Sequence, residues 1–394
     1  VMLITYRIAV QAGQNAQILV TVAAGLFILP FFLFSATAGQ LADKFERTKI
    51  VQIIKLFEIA IMSLAAVGFI LQNAWFLIAV LFASGTHSTF FGPIKYALLP
   101  QHLNKDELIS GNAYVEAGTF VAILFGTICG GLLILGNRGT YLVSAALLLC
   151  ALLGYLSSRY IPLAVAPEPQ MKLNYNIWQE TFRILGYSRK NKRVFRCIIG
   201  ISWFWLLGAT LLAQFPSFVK DQLHAEASVV TLFFTIFSLG IGVGSFISSK
   251  ILKGAIKSTY VPLAALGITV FIIDLYMASQ NLIYANLSAL SSFQQFTHMS
   301  NSIRIIVDVL LISICSGIYI VPLYAIMQNE SDRSYLARII AANNLLNALF
   351  MVASAVFTLG MLALQKSIPE VFLCIGMINL LMALYIQNLN LNKL

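Results

Sequence analysis

The sequence predicts an all-α membrane protein that crosses the bilayer many times and consists of two six-helix halves. Of its 394 residues, 59% are hydrophobic and only 10% are charged, whereas a soluble domain is roughly 45–50% apolar and about 25% charged. A soluble fold of this composition would lack the polar residues needed to cover its surface, so the solvent that suits the chain is a bilayer. The apolar spans and one long polar break between them indicate the two halves.

Eleven segments of the chain are apolar over a length that can span a membrane, which takes about 20 residues. They lie at 16–42, 50–71, 75–98, 109–135, 140–160, 194–218, 228–251, 260–281, 303–327, 335–362 and 368–388. A short apolar start, Val1 to Ala9, is typical of the end of a further helix. We therefore expect twelve helices in the intact protein, with the first only partly present in this chain.

Basic residues are concentrated in alternate loops. One set of loops carries Lys44, Arg47, Lys49, Lys95, Lys105, Arg183, Arg189, Lys190, Lys192, Arg193, Arg196, Lys250, Lys253, Lys257, Arg333 and Arg338. The other set carries only Arg7, Arg138, Lys220, Arg304 and Lys366. Because cytoplasmic loops retain Lys and Arg, this bias predicts that both termini are cytoplasmic. It also explains the net charge of +10 without a nucleic-acid partner.

The longest polar break divides the chain into an N-terminal bundle at 1–160, a cytoplasmic linker at 161–193 and a C-terminal bundle at 194–394. Within the linker, helical spacing places several apolar residues on one face: Leu173, Ile177, Trp178, Phe182 and Leu185. Such a pattern, followed by basic residues, favours an amphipathic helix on the inner leaflet. An ordinary cytoplasmic linker without a lipid role is the equal alternative.

The two halves show weak internal similarity in the same order. Gly39–Lys49 at the end of the second helix corresponds to Gly244–Gly254 at the end of the eighth. Pro93–Gln101 is echoed by Pro322–Gln328. The pair Asn112 and Glu116 has the same spacing as Asn343 and Asn347. Together these echoes indicate a duplicated six-helix unit, an arrangement that places a substrate path between the repeats of transporters.

The sharpest motif lies between the second and third helices, at Gly39-x-Leu-Ala-Asp43-x-x-x-Arg47-x-Lys49. Gly39 permits close helix approach, and Asp43 can pair with a basic group or with the N-terminus of a neighbouring helix. The pattern resembles the loop between helices two and three of the major facilitator superfamily, except that Glu46 replaces the usual Gly. The resemblance implies the major facilitator fold and a conformational latch formed by Gly39, Asp43, Arg47 and Lys49.

A second block resembles the lysophospholipid transporter branch of that superfamily. It comprises His87–Pro100, Asp106–Phe120 and the element Gln214-Phe-Pro216. This resemblance implies a multi-pass protein of the bacterial inner membrane that moves lysophosphatidylethanolamine from the outer to the inner leaflet by alternating access. The partners it implies are membrane lipids, the lysophospholipid substrate and an acyltransferase, either separate or fused. A facilitator of a soluble solute or drug on the same fold is the alternative.

A zwitterionic headgroup requires an acidic and a basic partner, and the sequence offers Glu116 and Lys95. An ionisable group inside a membrane span indicates a functional site. The alternative for Glu116 is a carboxylate with a purely structural role. The alternative for Lys95 is a side chain that extends to the membrane interface. The candidate substrate-binding residues are Lys95, Tyr96, Asn112, Glu116, Gln214, Asn343 and Asn347. Gln214 and Pro216 suggest a broken helix that faces a cavity, and the asparagines equally suit interhelical hydrogen bonds.

The remaining polar residues have simpler interpretations. Arg304 and Asp308 have the spacing of a local ion pair, as do Lys55 and Glu58. The five cysteines, Cys129, Cys150, Cys197, Cys315 and Cys374, suit small apolar packing residues. We found no phosphate-binding loop and no convincing His-x-x-x-x-Asp pair, so the sequence indicates neither an ATP-driven pump nor an acyltransferase. No catalytic residue, metal or cofactor is expected.

Overall fold

The computed structural model describes residues 16–135, 138–280 and 290–391. The predicted partial first helix, Val1 to Ala9, lies outside the described residues. Within them the structure has thirteen α-helices, of which eleven are long and apolar enough to cross a membrane. The prediction of an all-α, multi-span membrane protein is therefore confirmed.

The eleven long helices follow the predicted spans closely. They are α1 (Ala16–Lys44), α2 (Arg47–Leu71), α3 (Ala74–His102), α4 (Leu108–Leu135), α5 (Gly139–Ser158), α7 (Lys192–Ser217), α8 (Ala227–Leu252), α9 (Val261–Gln280), α11 (Ser302–Glu330), α12 (Leu336–Ala363) and α13 (Ile368–Leu391). The two shorter helices are α6 (Ile177–Ser188) and α10 (Phe293–Thr297). A π-helical turn, Phe218–Gln222, continues α7.

Helices α3 and α7 continue past prolines, residues that bend or end many helices. Helix α3 runs through Pro93 and Pro100 and ends at His102. A membrane helix tolerates proline where neighbouring groups bind the freed carbonyls. Pro100 has no N–H to donate to the carbonyl of Tyr96, and the next carbonyl, that of Ala97, accepts a hydrogen bond from Arg47.

Helix α7 likewise includes Pro216 and passes directly into the π-helical turn at Phe218. The predicted break at Gln214 and Pro216 is therefore wrong. The segment stays helical, but its backbone hydrogen bonds change from the α-helical to the π-helical pattern after Ser217.

The chain forms two compact units. The first consists of the described parts of Val1–His102, Gly126–Asn191 and Ser331–Ala348. In its core, α2, α3 and α5 bury Phe69, Leu77, Val80 and Val143 against one another. The predicted division into an N-terminal bundle (1–160), a linker (161–193) and a C-terminal bundle (194–394) follows the order of helices along the chain. It stays a prediction.

The second unit consists of Leu103–Phe125, Lys192–Glu330 and the described part of Leu349–Leu394. Helices α8 and α11 approach closely in it, because a Cβ atom at Gly240 or Gly244 would overlap Ser313 or the backbone of Ile314. Small residues at such spacing allow membrane helices to pack backbone against backbone. An aromatic cluster fills the adjacent core, with ring centroids 5.3–6.5 Å apart: Phe215, Phe218, Phe233, Phe237, Phe296 and Phe372.

The linker is docked onto the first unit. The hydroxyl of Thr48 donates to the carbonyl of Pro162 (2.7 Å) and accepts from the amide of Ala164 (3.0 Å). Further along, Gln40 and Asn174 exchange two hydrogen bonds of 2.8 and 3.1 Å. Helix α6 begins after Asn176, whose side chain caps the helix N-terminus.

Helix α6 has two distinct apolar surfaces. Ile184 and Leu185 pack against Ala36 of α1 and against Ala341 and Ala342 of α12. On the outer surface, Trp178 and Phe182 are 63% and 71% exposed. The predicted single apolar face is therefore split, because Leu185 contacts protein whereas Trp178 and Phe182 do not pack into it.

Candidate functional site

Asp43, in the predicted latch, lies at the centre of a buried charge network in the first unit. Its Oδ1 accepts a hydrogen bond from Arg47 Nη2 at 3.0 Å, and its Oδ2 accepts one from Arg338 Nε at 2.9 Å. The backbone amides of Ala337 and Arg338 also donate to the carboxylate, at 3.2 and 3.3 Å. These amides lie in the first turn of α12, where a helix has no internal partners for its N–H groups.

The carboxylate therefore receives two guanidinium groups and a helix N-terminus at once. The sequence indicated both kinds of partner for Asp43, a basic group and a neighbouring helix end. It did not identify Arg338, which entered only as a basic loop residue. The sequence carries little signal for the pairing of Asp43 with Arg338, because the two residues are 295 positions apart in the chain.

Both arginines also donate to backbone carbonyl groups, and Arg338 lies over an aromatic ring. Arg47 donates to the carbonyls of Ala42 (2.9 Å) and Ala97 (3.0 Å). Arg338 donates to the carbonyl of Ser334 at 2.7 Å and lies 3.4 Å from the ring centroid of Tyr335. A buried charge is tolerated when it is paired and hydrogen-bonded, and each charge of this network has an ionic partner and further hydrogen bonds.

The other two predicted latch residues have different surroundings. A Cβ atom at Gly39 would lie 2.9 Å from Ala341 Cβ and from Arg338 Cα, so glycine is what permits α1 and α12 to meet there. Lys49 is exposed and pairs with Glu46 at 3.0 Å. The departure at Glu46 thus forms a peripheral ion pair and leaves the buried network intact.

Four of the predicted binding residues belong to the first unit. The ammonium of Lys95 lies 4.5 Å from the ring centroid of its neighbour Tyr96, whose side chain is buried. Asn343 is fully buried, and neither atom of its amide has a hydrogen-bond partner among the described residues. Asn347 is also buried.

The other three predicted binding residues belong to the second unit. Asn112 is fully buried and exchanges two amide hydrogen bonds with Gln328, of 2.7 and 3.1 Å. Glu116, one turn further along α4, is also fully buried. Gln214 is half-buried near the end of α7. Lys95 and Glu116 thus lie in different compact units, and their joint role stays a prediction.

An ionisable cluster of Lys55, Glu58 and His87, which the sequence did not reveal, lies inside the first unit. Lys55 Nζ and Glu58 Oε2 are 2.8 Å apart, which confirms the local pair, but His87 Nε2 of α3 is also 3.6 Å from that same oxygen. The ammonium of Lys55 lies 4.4 Å from the Phe91 ring centroid, and the His87 ring stacks on Phe91. Gly154 of α5 lies beside the pair, since a Cβ atom there would be 3.6 Å from Lys55 Nζ.

A further ion pair differs from its sequence interpretation. Arg304 bonds to Asp274 of α9 through both its Nε, at 2.9 Å, and its Nη2. The prediction that Arg304 pairs mainly with Asp308 is therefore wrong, because its hydrogen-bonded partner is Asp274. The bidentate geometry of Arg with a carboxylate favours the partner that faces it across the helices.

Two adjoining cavities lie in the first unit. The larger, of about 540 Å³, is bounded by α1, α2 and α3 and has almost entirely apolar walls. The smaller, of about 420 Å³, is bounded by α1, α3 and the linker, and its walls include Thr37, Gln40 and Asn174. Leu41 and Phe90 line both.

The sequence model of the Major Facilitator Superfamily matches residues 8–355. The chain belongs to the Major Facilitator Superfamily. This confirms the predicted fold, and since the members that the chain resembles are transporters, it is a transporter and not an enzyme.

Curated relatives of this superfamily member include lysophospholipid transporters named LplT. The protein of Citrobacter koseri is 25% identical over 359 residues, covering 89% of this chain and 81% of the relative. That of Photorhabdus laumondii is 27% identical over 316 residues, covering 78% and 70%. The resemblance to the lysophospholipid transporter branch is therefore confirmed at the level of sequence similarity.

Solved structures of superfamily transporters show the same fold. The proton:xylose symporter XylE has a TM-score of 0.69 and 13% identity, covering 99% of this chain and 93% of that one. A bacterial homologue of the iron transporter ferroportin in an outward-facing state has a TM-score of 0.67 and 14% identity, covering 98% and 92%. At these identities the likeness concerns the fold alone.

Proposed function

We propose that this transporter moves lysophospholipids of the lysophosphatidylethanolamine type from the outer to the inner leaflet of a bacterial inner membrane. The observation that carries the proposal is the similarity to LplT proteins over 89% of the chain. The apolar cavity in the first unit supports it, because a lipid substrate requires apolar surface for its tail.

The buried carboxylate of Glu116 is the group proposed to meet the substrate ammonium. It lies two turns into α4, within a predicted membrane span, where charged groups are costly and mark function. Lys95 is proposed to meet the phosphate. Tyr96, Asn112, Gln214, Asn343 and Asn347 are the polar residues proposed to line the path.

The Asp43 network is proposed to act as the conformational latch in alternating access. It joins α1, from the predicted N-terminal half, to the start of α12, from the predicted C-terminal half. Movement of the halves apart at this point would have to break the bonds from α12 to Asp43. Closing and breaking these bonds would therefore bias the two states of the transporter.

The proposal includes a cytoplasmic position for both termini and cooperation with an acyltransferase, separate or fused. An acyltransferase that restores the missing acyl chain would consume the lysolipid after its arrival in the inner leaflet. That removal would draw further substrate inward by mass action.

Translocation of labelled lysophosphatidylethanolamine in proteoliposomes tests the proposal. We expect the wild-type protein to exceed empty liposomes and Glu116→Gln to lose most of that rate. Glu226→Gln makes the same change at an exposed position and should transport normally. A wild-type rate equal to that of empty liposomes would overturn the lipid proposal, and transport of a soluble solute would then support the alternative facilitator.

A further inference from the structure

The two adjoining cavities of the first unit have the polarity of a single-chain lipid. The larger cavity is walled by α2 residues Ile50, Ile53, Ile54, Phe57 and Ile61, and by Phe82, Ala83, Thr86, His87 and Phe90 of α3. The walls of the smaller cavity are also mainly apolar, but they include the polar residues Thr37, Gln40, Asn174 and Tyr175. An apolar groove thus joins a polar end through the shared walls Leu41 and Phe90.

The length of the apolar groove matches one leaflet. From Ile50 to Ile61 the α2 wall rises about 16 Å at 1.5 Å per residue, and half of the hydrocarbon core of a bilayer is about 15 Å thick. The groove begins three residues after the start of α2 at Arg47. It therefore runs from the membrane surface to the region of the bilayer midplane.

The groove is open towards the surface that lipid covers. Ile53 is 52% exposed and Phe57 is 63% exposed, and both face outward beside the cavity. Exposed isoleucine and phenylalanine side chains inside a membrane span contact acyl chains. A lipid tail can thus enter the groove sideways, without its headgroup crossing the hydrocarbon.

The polar end lies at the level of the headgroups. It is formed by linker residues 173–177, immediately before and at the start of α6. The outward Trp178 and Phe182 of α6 have the composition of the interfacial aromatic belt. Lys172 flanks this segment and adds positive charge near a lipid phosphate. Arg183, further along α6, pairs with Glu180 at 3.4 Å.

We infer that the groove and its polar end bind one lysophospholipid in the inner leaflet. The acyl chain lies along α2 and α3, and the headgroup lies against Thr37, Asn174 and Tyr175. This inference rests on the proposed function and adds to it a binding site separate from the candidate path residues Lys95 and Glu116. Being at the level of the inner leaflet, the site is where a translocated lysolipid would be held after transport.

Photocrosslinking in proteoliposomes tests the site directly. The probe is lysophosphatidylethanolamine that carries a diazirine in its acyl chain, and mass spectrometry locates the labelled peptides. We expect label on 50–61 and 82–90, reduced by unlabelled lysophosphatidylethanolamine but not by the diacyl lipid. Label elsewhere only, or equal competition by the diacyl lipid, would show an ordinary boundary lipid and overturn the inference.

Filling the groove provides the second test. Ala83→Trp places an indole in the groove and should reduce label on 50–61 roughly tenfold, which corresponds to a tenfold loss of affinity. Ala145→Trp makes the same change at an exposed position on α5 and should leave the label unchanged. If Ala83→Trp folds and labels like wild type, the inference fails.

The translocation assay separates this inference from the proposed function. Transport of lysolipid without competed label in the groove would overturn the site and leave the proposed function standing. Absence of transport, with or without label, would overturn the proposed function.

Discussion

At the scale of single residues, Asp43 is the negative charge that two buried arginines share. One carboxylate balances Arg47 and Arg338, and all three side chains are almost fully buried. Removing one partner of a buried pair is far more harmful than removing an exposed pair, because the remaining charge stays desolvated. The network is thus sensitive to the loss of this single negative charge.

We expect Asp43→Asn to lower the free energy of unfolding by about 3–5 kcal/mol, since two buried guanidinium groups would lose their anionic partner. Thermal unfolding in detergent measures the loss. Lys49→Gln, at an exposed ion pair, should change stability by less than about 1 kcal/mol. Equal unfolding temperatures for Asp43→Asn and wild type would contradict this account of the network.

The cluster of Lys55, Glu58 and His87 gives a second residue-scale prediction. Lys55→Met and Glu58→Gln should each destabilise the protein, because each leaves the other, half-buried charge without its closest partner. The double variant should be more stable than either single variant, since replacing a whole buried pair is often close to neutral. A double-mutant cycle on unfolding in detergent measures the coupling. Additive losses would show that the pair contributes little.

At the scale of elements, the close contact of α8 with α11 depends on the glycines Gly240 and Gly244. Gly244→Ala should destabilise by about 1–3 kcal/mol, because its methyl group would overlap the backbone at Ile314. Gly118→Ala is the matched control, since a Cβ atom there has nothing within 4 Å. The control should be neutral or gain up to about 1 kcal/mol from helix propensity. Comparable losses in both variants would contradict the close-packing argument.

Helix α6 gives a second element-scale prediction. In a variant that keeps Trp178 and replaces Trp75, Trp203 and Trp205 by Phe, fluorescence should be quenched by lipids brominated near the headgroup. The reason is that Trp178 is exposed on the surface we assign to the membrane interface. Quenching by aqueous iodide and not by the brominated lipids would place this face in water and support the plain linker.

At the scale of the whole molecule, the spans were predictable because a bilayer imposes both a length and an apolar composition on each helix. The partners of buried polar groups were not, since they depend on packing between distant segments. Asp43 was predicted to find a basic group, yet Arg338 came from the structure. His87 joined Lys55 and Glu58 only through the packing of α3 against α2.

The internal repeat did not predict the hydrogen-bond partners of corresponding residues. Asn112 and Asn343 occupy corresponding positions in the two predicted halves, and the sequence treats them alike. In the structure Asn112 bonds to Gln328, whereas the amide of Asn343 has no hydrogen-bond partner among the described residues. Repeats preserve the backbone path of a helix more strongly than the side chains that surround it.

Topology is the whole-molecule property most open to measurement. After replacement of the five native cysteines, Lys190→Cys should react with a membrane-impermeant maleimide only in permeabilised cells. Asp221→Cys, in the opposite set of loops, should react in intact cells, because basic residues are retained in the cytoplasm. The reverse pattern would place the basic loops outside the cell and contradict the predicted orientation.

The docking of the linker has a thermodynamic consequence. The carbonyl of Asp43 accepts a hydrogen bond from the amide of Glu168, and the amide of Arg47 donates to the carbonyl of Ala164. The backbone of the charge network is therefore also part of the linker's binding surface. A ligand that binds the docked linker more tightly when Asp43 is bound to Arg338 must, by reciprocity of linked equilibria, stabilise that bond in return. If the Asp43 network is the latch, an antibody fragment with this preference would slow the transporter without touching its substrate path.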